Sequence, residues 1–596
     1  MDRYASVMIG RTSPLELSVE NRIVGSMVAG AVGDALGWPQ EMRPTNSNTR
    51  TSRSVPTGTG FREWQRRTGG RFYNRVERVQ AGEYSDDTQL TLCTARSLIR
   101  SSLWWIDFTH SELPAWTVYQ RGAGRSTLRA ANAWLSGTAP WSLASPKDKE
   151  EYWQAGGNGA AMRIHPHSLA WMESNEFMPL GIELATNALT THGHPRAIIG
   201  AIVHGFVVWR AVQKQGTLAY GEPVTWALEG LELLTEMPSV ESTWPDWQFV
   251  LKSTRPGYES LWASVREEML VLLKLCQDGV RQGALAVDSD VLRRLGCFDR
   301  GTGGAGTVSA AAAVFLASRF APEPLHGLRE AAFAIGADTD TIASMTGSIL
   351  GAIHGRDHLD GFVDGLQDLD YLTDIARRLA DPERQDKASH EPRPSVTKSA
   401  LVKTRDSLKS RLEEQPVALP DRRGGMVIEI LRTTGQPGTT SSTSWRIKTD
   451  DGQTIYITSV QRDAKESGKP DNAAADIGHR GTARVGVKLA VVEPARMAKF
   501  FHDVFGLATK EASTHVNIGG VLALVAKEFD GQPSLVPDAQ EPLIFIETDA
   551  IERIFNLVLS SDGRIIQGMD RRENRRFFIC EDPGGNRVEV IEKRST

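Results

Sequence analysis

Cysteine is scarce in this chain: Cys93, Cys276, Cys297 and Cys580 are all it has in 596 residues, and no two form a CxxC. That excludes a thiolate zinc finger and fits a reducing compartment. A basic excess is missing too. Lys and Arg number 68 against 73 Asp and Glu, a net charge of −5, so the chain lacks the overall basic footprint of a nucleic-acid binder, with local patches left open. No apolar run reads as long enough to span a membrane. The apolar run from Ile23 is broken by glycines and Asp34, unlike a signal peptide. These absences predict a cytoplasmic protein with no membrane partner. What is present is ordinary in bulk, 40% apolar and 24% charged, and the length calls for two or more domains.

The chain is organised around Gly82–Thr94, GEYSDDTQLTLCT. Leu92, Ala95, Leu98 and Ile99 follow at helical spacing, so Ser85, Asp86 and Asp87 fall at the mouth of a helix. A second opening of this kind is Gly336-Ala337-Asp338-Thr339-Asp340-Thr341. Behind it Ile342, Met345, Ile349 and Ile353 form a buried stripe, while Ala343, Gly347 and Gly351 form a small-residue face suited to close packing. Asp, Ser and Thr are common N-caps, so either stretch alone reads as a cap. A cap needs one side-chain oxygen, however, and each opening offers three. Four carboxylates and two hydroxyls make an all-oxygen set suited to a hard cation such as Mg2+.

In chain order, residues 1–20 read as an arm. A helix starts near Asn21, with Gly25, Ala29 and Gly33 on one stripe, and is expected to stop at Gly37 and Pro39. Asp34 opposes the dipole at that end and should have a specific partner. Glu41 follows in the loop, and residues 45–80 read as a long functional loop, a lid over the site. From 88 to about 380 the periodicity is helical, and 195–211 is apolar almost all round, as in a buried helix. Trp104, Trp105, Trp116, Trp134, Trp141 and Trp153 read as core filling rather than a base-stacking platform. Residues 383–480 are expected to be a linker with a small β meander over 425–460 around the turn Asp450-Asp451-Gly452. Residues 481–596 read as an α+β domain with an internal βαβββ repeat. The fold class is therefore multidomain, an all-α bundle over 1–382 followed by a linker and a βαβββ-repeat domain.

GDALG (33–37), GEYSDDTQ (82–89), GNGAAMR (157–163), THGHP (191–195) and GADTDT (336–341), in this order, resemble the ADP-ribosylglycohydrolase family. The resemblance implies an all-α bundle with two Mg2+ ions (Mn2+ as a substitute) that cleaves ADP-ribose from an acceptor. It implies Ser85, Asp86, Asp87, Asp338, Asp340 and Thr341 as metal ligands and Glu41, Asp87 and Asp338 as catalytic groups. Asn158, Gly159 and Ala160 stand where backbone amides approach a diphosphate, or form a tight loop before a helix. His192 binds substrate or, like His194, caps the helix from Pro195. Gly301 and Gly303 belong to a late glycine loop in which Gly304 replaces the aromatic that many members carry.

FFHDVFGL (500–507) and EDPGGNRVEVIE (581–592) resemble the vicinal-oxygen-chelate group of glyoxalases, extradiol dioxygenases and bleomycin-resistance proteins. Glu589 fits that group's final-strand ligand, but the first-strand positions fall near Gly486 and Pro542, which have no ligating side chain. The expectation is a hydrolase acting on an ADP-ribosylated protein, nucleic acid or small molecule, with a C-terminal domain that binds or dimerises without catalysing. The rivals are a non-catalytic ADP-ribose reader and a C-terminal isomerase or dioxygenase.

Overall fold

Five helices place the site: α1 (Val19–Glu41), α2 (Asp86–Arg100), α3 (Pro195–Gln213), α4 (Gly306–Arg319) and α5 (Thr339–His354). In the computed structural model α1 and α5 run antiparallel along their small-residue faces. A Cβ on Gly37 would collide with the Thr339 carbonyl, one on Gly33 with the carbonyl of Ala343, and one on Gly25 with Gly351 and Gly355. From the other side, Gly347 meets Ala29 and Gly351 meets Gly25. The two backbones touch, as the four-residue spacing of these positions requires. The end of α1 therefore lies beside the start of α5.

The structure describes residues 17–41, 60–69 and 75–462, less 216–217, 284–286, 360, 382, 385–388, 392 and 434–439, and beyond them strands and one helix between 487 and 592. The chain divides into two units, Met1–Ser467 and Gly468–Thr596. In the first, α3 is the central buried helix, opened by His194, whose Nδ1 accepts from the Arg196 amide, with Pro195 in its first turn. By length and composition alone Pro195–Gln213 would cross a membrane, contrary to expectation, but 89% of its most apolar window is buried inside the bundle. Trp134, Trp141, Trp153, Trp244 and Trp247 pack edge to face or tilted with Tyr152 and Tyr258 in the interior. They fill core.

Three expectations need correction. Helix α1 does not stop at Gly37 or Pro39 but runs to Glu41 with Pro39 inside its last turn. Pro39 brings no amide to the helix, and the end carbonyls are served from outside it or by its own side chains. Gln40 Nε2 donates to Leu36 O, Thr339 Oγ1 to Gly37 O at 2.9 Å, and Arg62 Nη2 to Pro39 O at 3.0 Å. The 45–80 stretch contains an antiparallel hairpin, β1 (Trp64–Thr68) and β2 (Arg75–Val79), in register Arg66 with Glu77. Residues 45–59 and 70–74 of the expected lid lie outside the described residues.

The third correction concerns the linker. Helix α6 (Lys398–Leu408) and an antiparallel sheet of β3 (Pro416–Ala418), β4 (Gly424–Thr433), β5 (Thr440–Thr449) and β6 (Thr454–Arg462), in that order, belong to the first unit. The charged residues that suggested a solvated linker are used in ion pairs. Arg393 pairs with buried Asp107 and Glu112, and Arg423 with Asp421. Arg96, fully buried, joins Glu112 to Gln453 of the sheet.

In the second unit two sheets repeat one topology. Val487–Val491 pairs parallel with Leu522–Ala526, followed by His515–Ile518 and Thr509–Ala512; Ile544–Thr548 pairs parallel with Arg587–Glu592, followed by Arg575–Glu581 and Arg564–Arg572. Each sheet has the order first, fourth, third, second, as a βαβββ repeat demands. The helix of the second module is Ile551–Leu559; most of the one expected at 495–505 lies outside the described residues, as do Gly486 and Pro542.

Candidate metal centre

The starts of α2 and α5 and the end of α1 meet, and each brings carboxylates. At α2, Ser85 is the N-cap and its Oγ accepts from the Asp87 amide at 3.2 Å. Asp34 of α1 does the rest of the capping. Its carboxylate accepts from Ser85 N at 3.0 and 3.1 Å, from Thr88 N at 3.0 Å and from Thr88 Oγ1 at 2.6 Å. This is the partner its position required. The helix opening is thereby satisfied without Asp86 or Asp87, whose carboxylates are left for another use.

At α5 the same holds. Asp338 is the N-cap residue but makes no side-chain cap bond, and Asp340 Oδ1 accepts only from the next amide, Thr341 N, at 2.9 Å. Thr341 Oγ1 reaches across to Asp87 Oδ2 at 3.4 Å, and Ser85 Oγ lies 3.3 Å from the same oxygen. Asp87 Oδ1 is buried and has no hydrogen-bond partner among the described residues. Asp86 lies against Gly122, where a Cβ would come within 2.6 Å of Asp86 Oδ1 and 3.8 Å of Arg66 Nη1.

Burial raises every shifted carboxyl in this group, and neighbouring like charges add to it in all but Asp34. Burial, then the neighbouring Asp34 and Glu41, pushes Asp86 up to about 8. Burial followed by Asp338 pushes Glu41 up to about 7, although the residue still opens to solvent at the rim. Asp34, Asp87 and Asp340 are raised as well, burial being the first cause in each. Among the described residues no three His, Cys, Asp or Glu side chains close into a ready cage. The orphaned Asp87 oxygen and the all-oxygen donor set fit Mg2+.

The expected diphosphate contacts fall into two layers. Asn158 stands beside the carboxylates, its Nδ2 donating to Asp338 Oδ2 and Ser309 Oγ at 2.9 Å each, and its amide N bonds Gly304 O. Gly304 faces Asp338, as a Cβ there would lie 3.5 Å from Asp338 Oδ2. Gly159 and His192 lie together further in, with Thr127 against Gly159. His192 is buried, takes Thr191 Oγ1 at 2.7 Å, and is held neutral by burial, its pKa down to about 3. Ala160 is fully enclosed and supports the loop from beneath. The amides of Gly301 and Gly303 are taken by Asp299, at 2.7 Å each. The sequence reading missed Asp34 as the clamp on α2, and Arg66, which lies in a stretch read as loop. For Asp34 the signal was there, a carboxylate on the wrong end of a helix.

A family model described as ADP-ribosylglycohydrolase matches residues 15–389, and one described as Glyoxalase/Bleomycin resistance protein/Dioxygenase superfamily matches residues 483–590. The chain is 24% identical over 372 residues to "Uncharacterized protein YegU" of Escherichia coli (strain K12), covering 60% of this chain and 96% of that protein. It is 24% identical over 383 residues to "ADP-ribosylhydrolase ARH3" of Homo sapiens, covering 60% of this chain and 93% of that one. Among solved structures, an "ADP-ribosylglycohydrolase-related protein complex" aligns at 21% identity and TM-score 0.35 over 61% of this chain and 98% of its own.

Proposed function

The chain belongs to the ADP-ribosylglycohydrolase family, and on that premise we propose that it is a Mg2+-dependent hydrolase cleaving the glycosidic bond between ADP-ribose and an acceptor. The observation that carries the metal is Asp87 Oδ1, a buried carboxylate oxygen set among several more carboxylates and with no donor among the described residues. Such an atom is costly unless a cation meets it. Ser85, Asp86, Asp87, Asp338, Asp340 and Thr341 would hold two Mg2+, with Mn2+ as a substitute. Bound metal supplies positive charge for the ribose hydroxyls and acidifies a water.

The remaining work falls to the chain. Asp34 keeps α2 aimed by clamping its first amides. Asn158 fixes the Asp338 carboxylate. Glu41, at the rim, accepts a proton from the attacking water as its oxygen bonds to the anomeric carbon. The bond to the acceptor breaks in the same process, and the acceptor leaves with the proton that Glu41 has taken from the water. The C-terminal unit serves binding or assembly, since only Glu589 among its expected ligand positions carries a ligating side chain. We place the protein in the cytoplasm, with four free cysteines, all buried.

The test is release of ADP-ribose from arginine-, serine- and nucleobase-linked ADP-ribose and from O-acetyl-ADP-ribose, with Mg2+ and with chelator. We expect turnover of at least one substrate, abolished by chelator and by Asp340→Ala. ADP-ribose binding without turnover of any of them would make the protein a reader and overturn the hydrolase.

A further inference from the structure

Between the two family regions lies a segment, residues 390–482, that neither model covers. Its sheet reaches the two residues just before the Ser85-Asp86-Asp87 motif, Glu83 directly and Tyr84 through Asp368. The Tyr456 hydroxyl of β6 donates to Glu83 Oε1, both side chains being buried. Glu83 Oε2 accepts from Arg121 Nη1 at 2.8 Å, and Arg121 Nε donates to Glu77 Oε1 at 2.9 Å. The Arg121 guanidinium lies over the Tyr456 ring at 4.2 Å and the Trp38 ring at 5.3 Å. Next in sequence to Arg121 is Gly122, the residue against which Asp86 rests. Two positions along the same strand, the Thr454 amide and hydroxyl donate to Asp368 at 2.6 and 2.7 Å, and Asp368 accepts from the Tyr84 hydroxyl at 2.9 Å.

Thr454 and Tyr456 stand on one face of β6, as alternate residues of a strand do. Together they hold Tyr84 and Glu83, and Arg121 carries the hold to the wall behind Asp86. The bonds are buried and charge-assisted, the kind that fixes a geometry rather than merely adding stability.

We propose that this sheet is a working part of the hydrolase, with Tyr456 a positioning residue that sets the Ser85–Asp87 ligands through Glu83 and Arg121. The inference rests on the metal reading above. Partners bonded directly to a metal ligand typically govern affinity by about 10–100-fold, and Tyr456, which acts further out through Glu83 and Arg121, is expected at the low end of that range. The full-length protein and Tyr456→Phe, which keeps the ring over Arg121 and removes only the hydroxyl, are titrated with Mg2+ by calorimetry, and their melting is followed in chelator. The expected result is Mg2+ affinity at least tenfold weaker in the variant, with turnover recovered at high Mg2+ if a substrate is in hand. Affinity within twofold of the parent overturns the proposal, even if the variant melts earlier. Should Tyr456→Phe fail to fold, Glu83→Gln, which keeps an acceptor for the Tyr456 hydroxyl, is read the same way with the same limits. A parent protein that binds no Mg2+ sinks the metal reading itself, an outcome distinct from equal binding by parent and variant.

Discussion

Asp86 and Glu41, with pKa values pushed up to about 8 and about 7, make the metal-free protein sensitive to base. A carboxyl whose pKa is higher folded than unfolded stabilises the fold below the unfolded value, near 4, and that stability is lost as pH rises through 7 and 8. His165, His192 and His204 act in the opposite sense. Burial holds each at about 3, so their contribution is full above 6.5 and is lost as pH falls toward 3. Between about pH 7.5 and 9 the histidines are neutral in both states and only the carboxylates act. In chelator the melting temperature should therefore fall across that window, and millimolar Mg2+ should remove the fall. Asp340→Asn should melt higher than the parent in chelator at pH 8, having lost one repelling charge, while losing hydrolysis. A melting temperature that climbs with pH in chelator would contradict the charge ring.

At the scale of elements, the contact of α1 with α5 separates two glycines that look alike in sequence. Gly30 has its nearest neighbour, Ser344 O, at 3.5 Å, so an alanine fits there and should stabilise by up to about 1 kcal/mol through the unfolded chain. Gly33 faces the Ala343 carbonyl with no room, and its alanine should destabilise by about 1–3 kcal/mol or more by forcing the helices apart. Urea unfolding of the two variants checks the pair. The helical openings and the small-residue faces could be read from sequence because period and residue type agree there. The hairpin could not: charged residues, Arg66, Arg75 and Glu77, alternate with Trp64 and Val79 on its more buried face, and the Arg66–Glu77 ion pair stands where apolar contacts would be expected. The strands over 425–460 were legible as a β meander from their alternation, but the residues around them were read as linker. Arg423, Asp421 and Arg393 look solvated in a composition count, and only the fold shows them paired. Pro39 misled because it falls in the helix's last turn, where little of the ladder remains to be lost and the Gly37 and Pro39 carbonyls take donors from outside the helix.

For the whole molecule, the first unit ends at Ser467, not at the family boundary. A chain cut after 467 should melt as the full protein's first unit does. One cut after 390 strips Tyr456 from Glu83, Gln453 from Arg96, and Lys448 and Thr454 from Asp368. Each loss leaves a buried charge short of a partner, and the shorter chain should be insoluble or melt far lower, which expression and calorimetry will show. Removing residues 481–596 should spare hydrolysis of a small ADP-ribosyl substrate and change the oligomeric state or the action on the natural acceptor. Stoichiometric metal in the isolated C-terminal domain would overturn its assignment to binding.

The antiparallel seating of α1 on α5 also sets an order in time. Gly37 and Thr339, bonded through the threonine hydroxyl, are separated by 302 positions. At roughly 5–20 residues per second a ribosome needs on the order of 15–60 s to deliver the second after the first. For that interval α1 is a glycine-rich helix of weak intrinsic propensity with its mate unmade. Nascent chains stalled before residue 339 should accordingly be open to protease along α1 and become resistant once α5 has emerged.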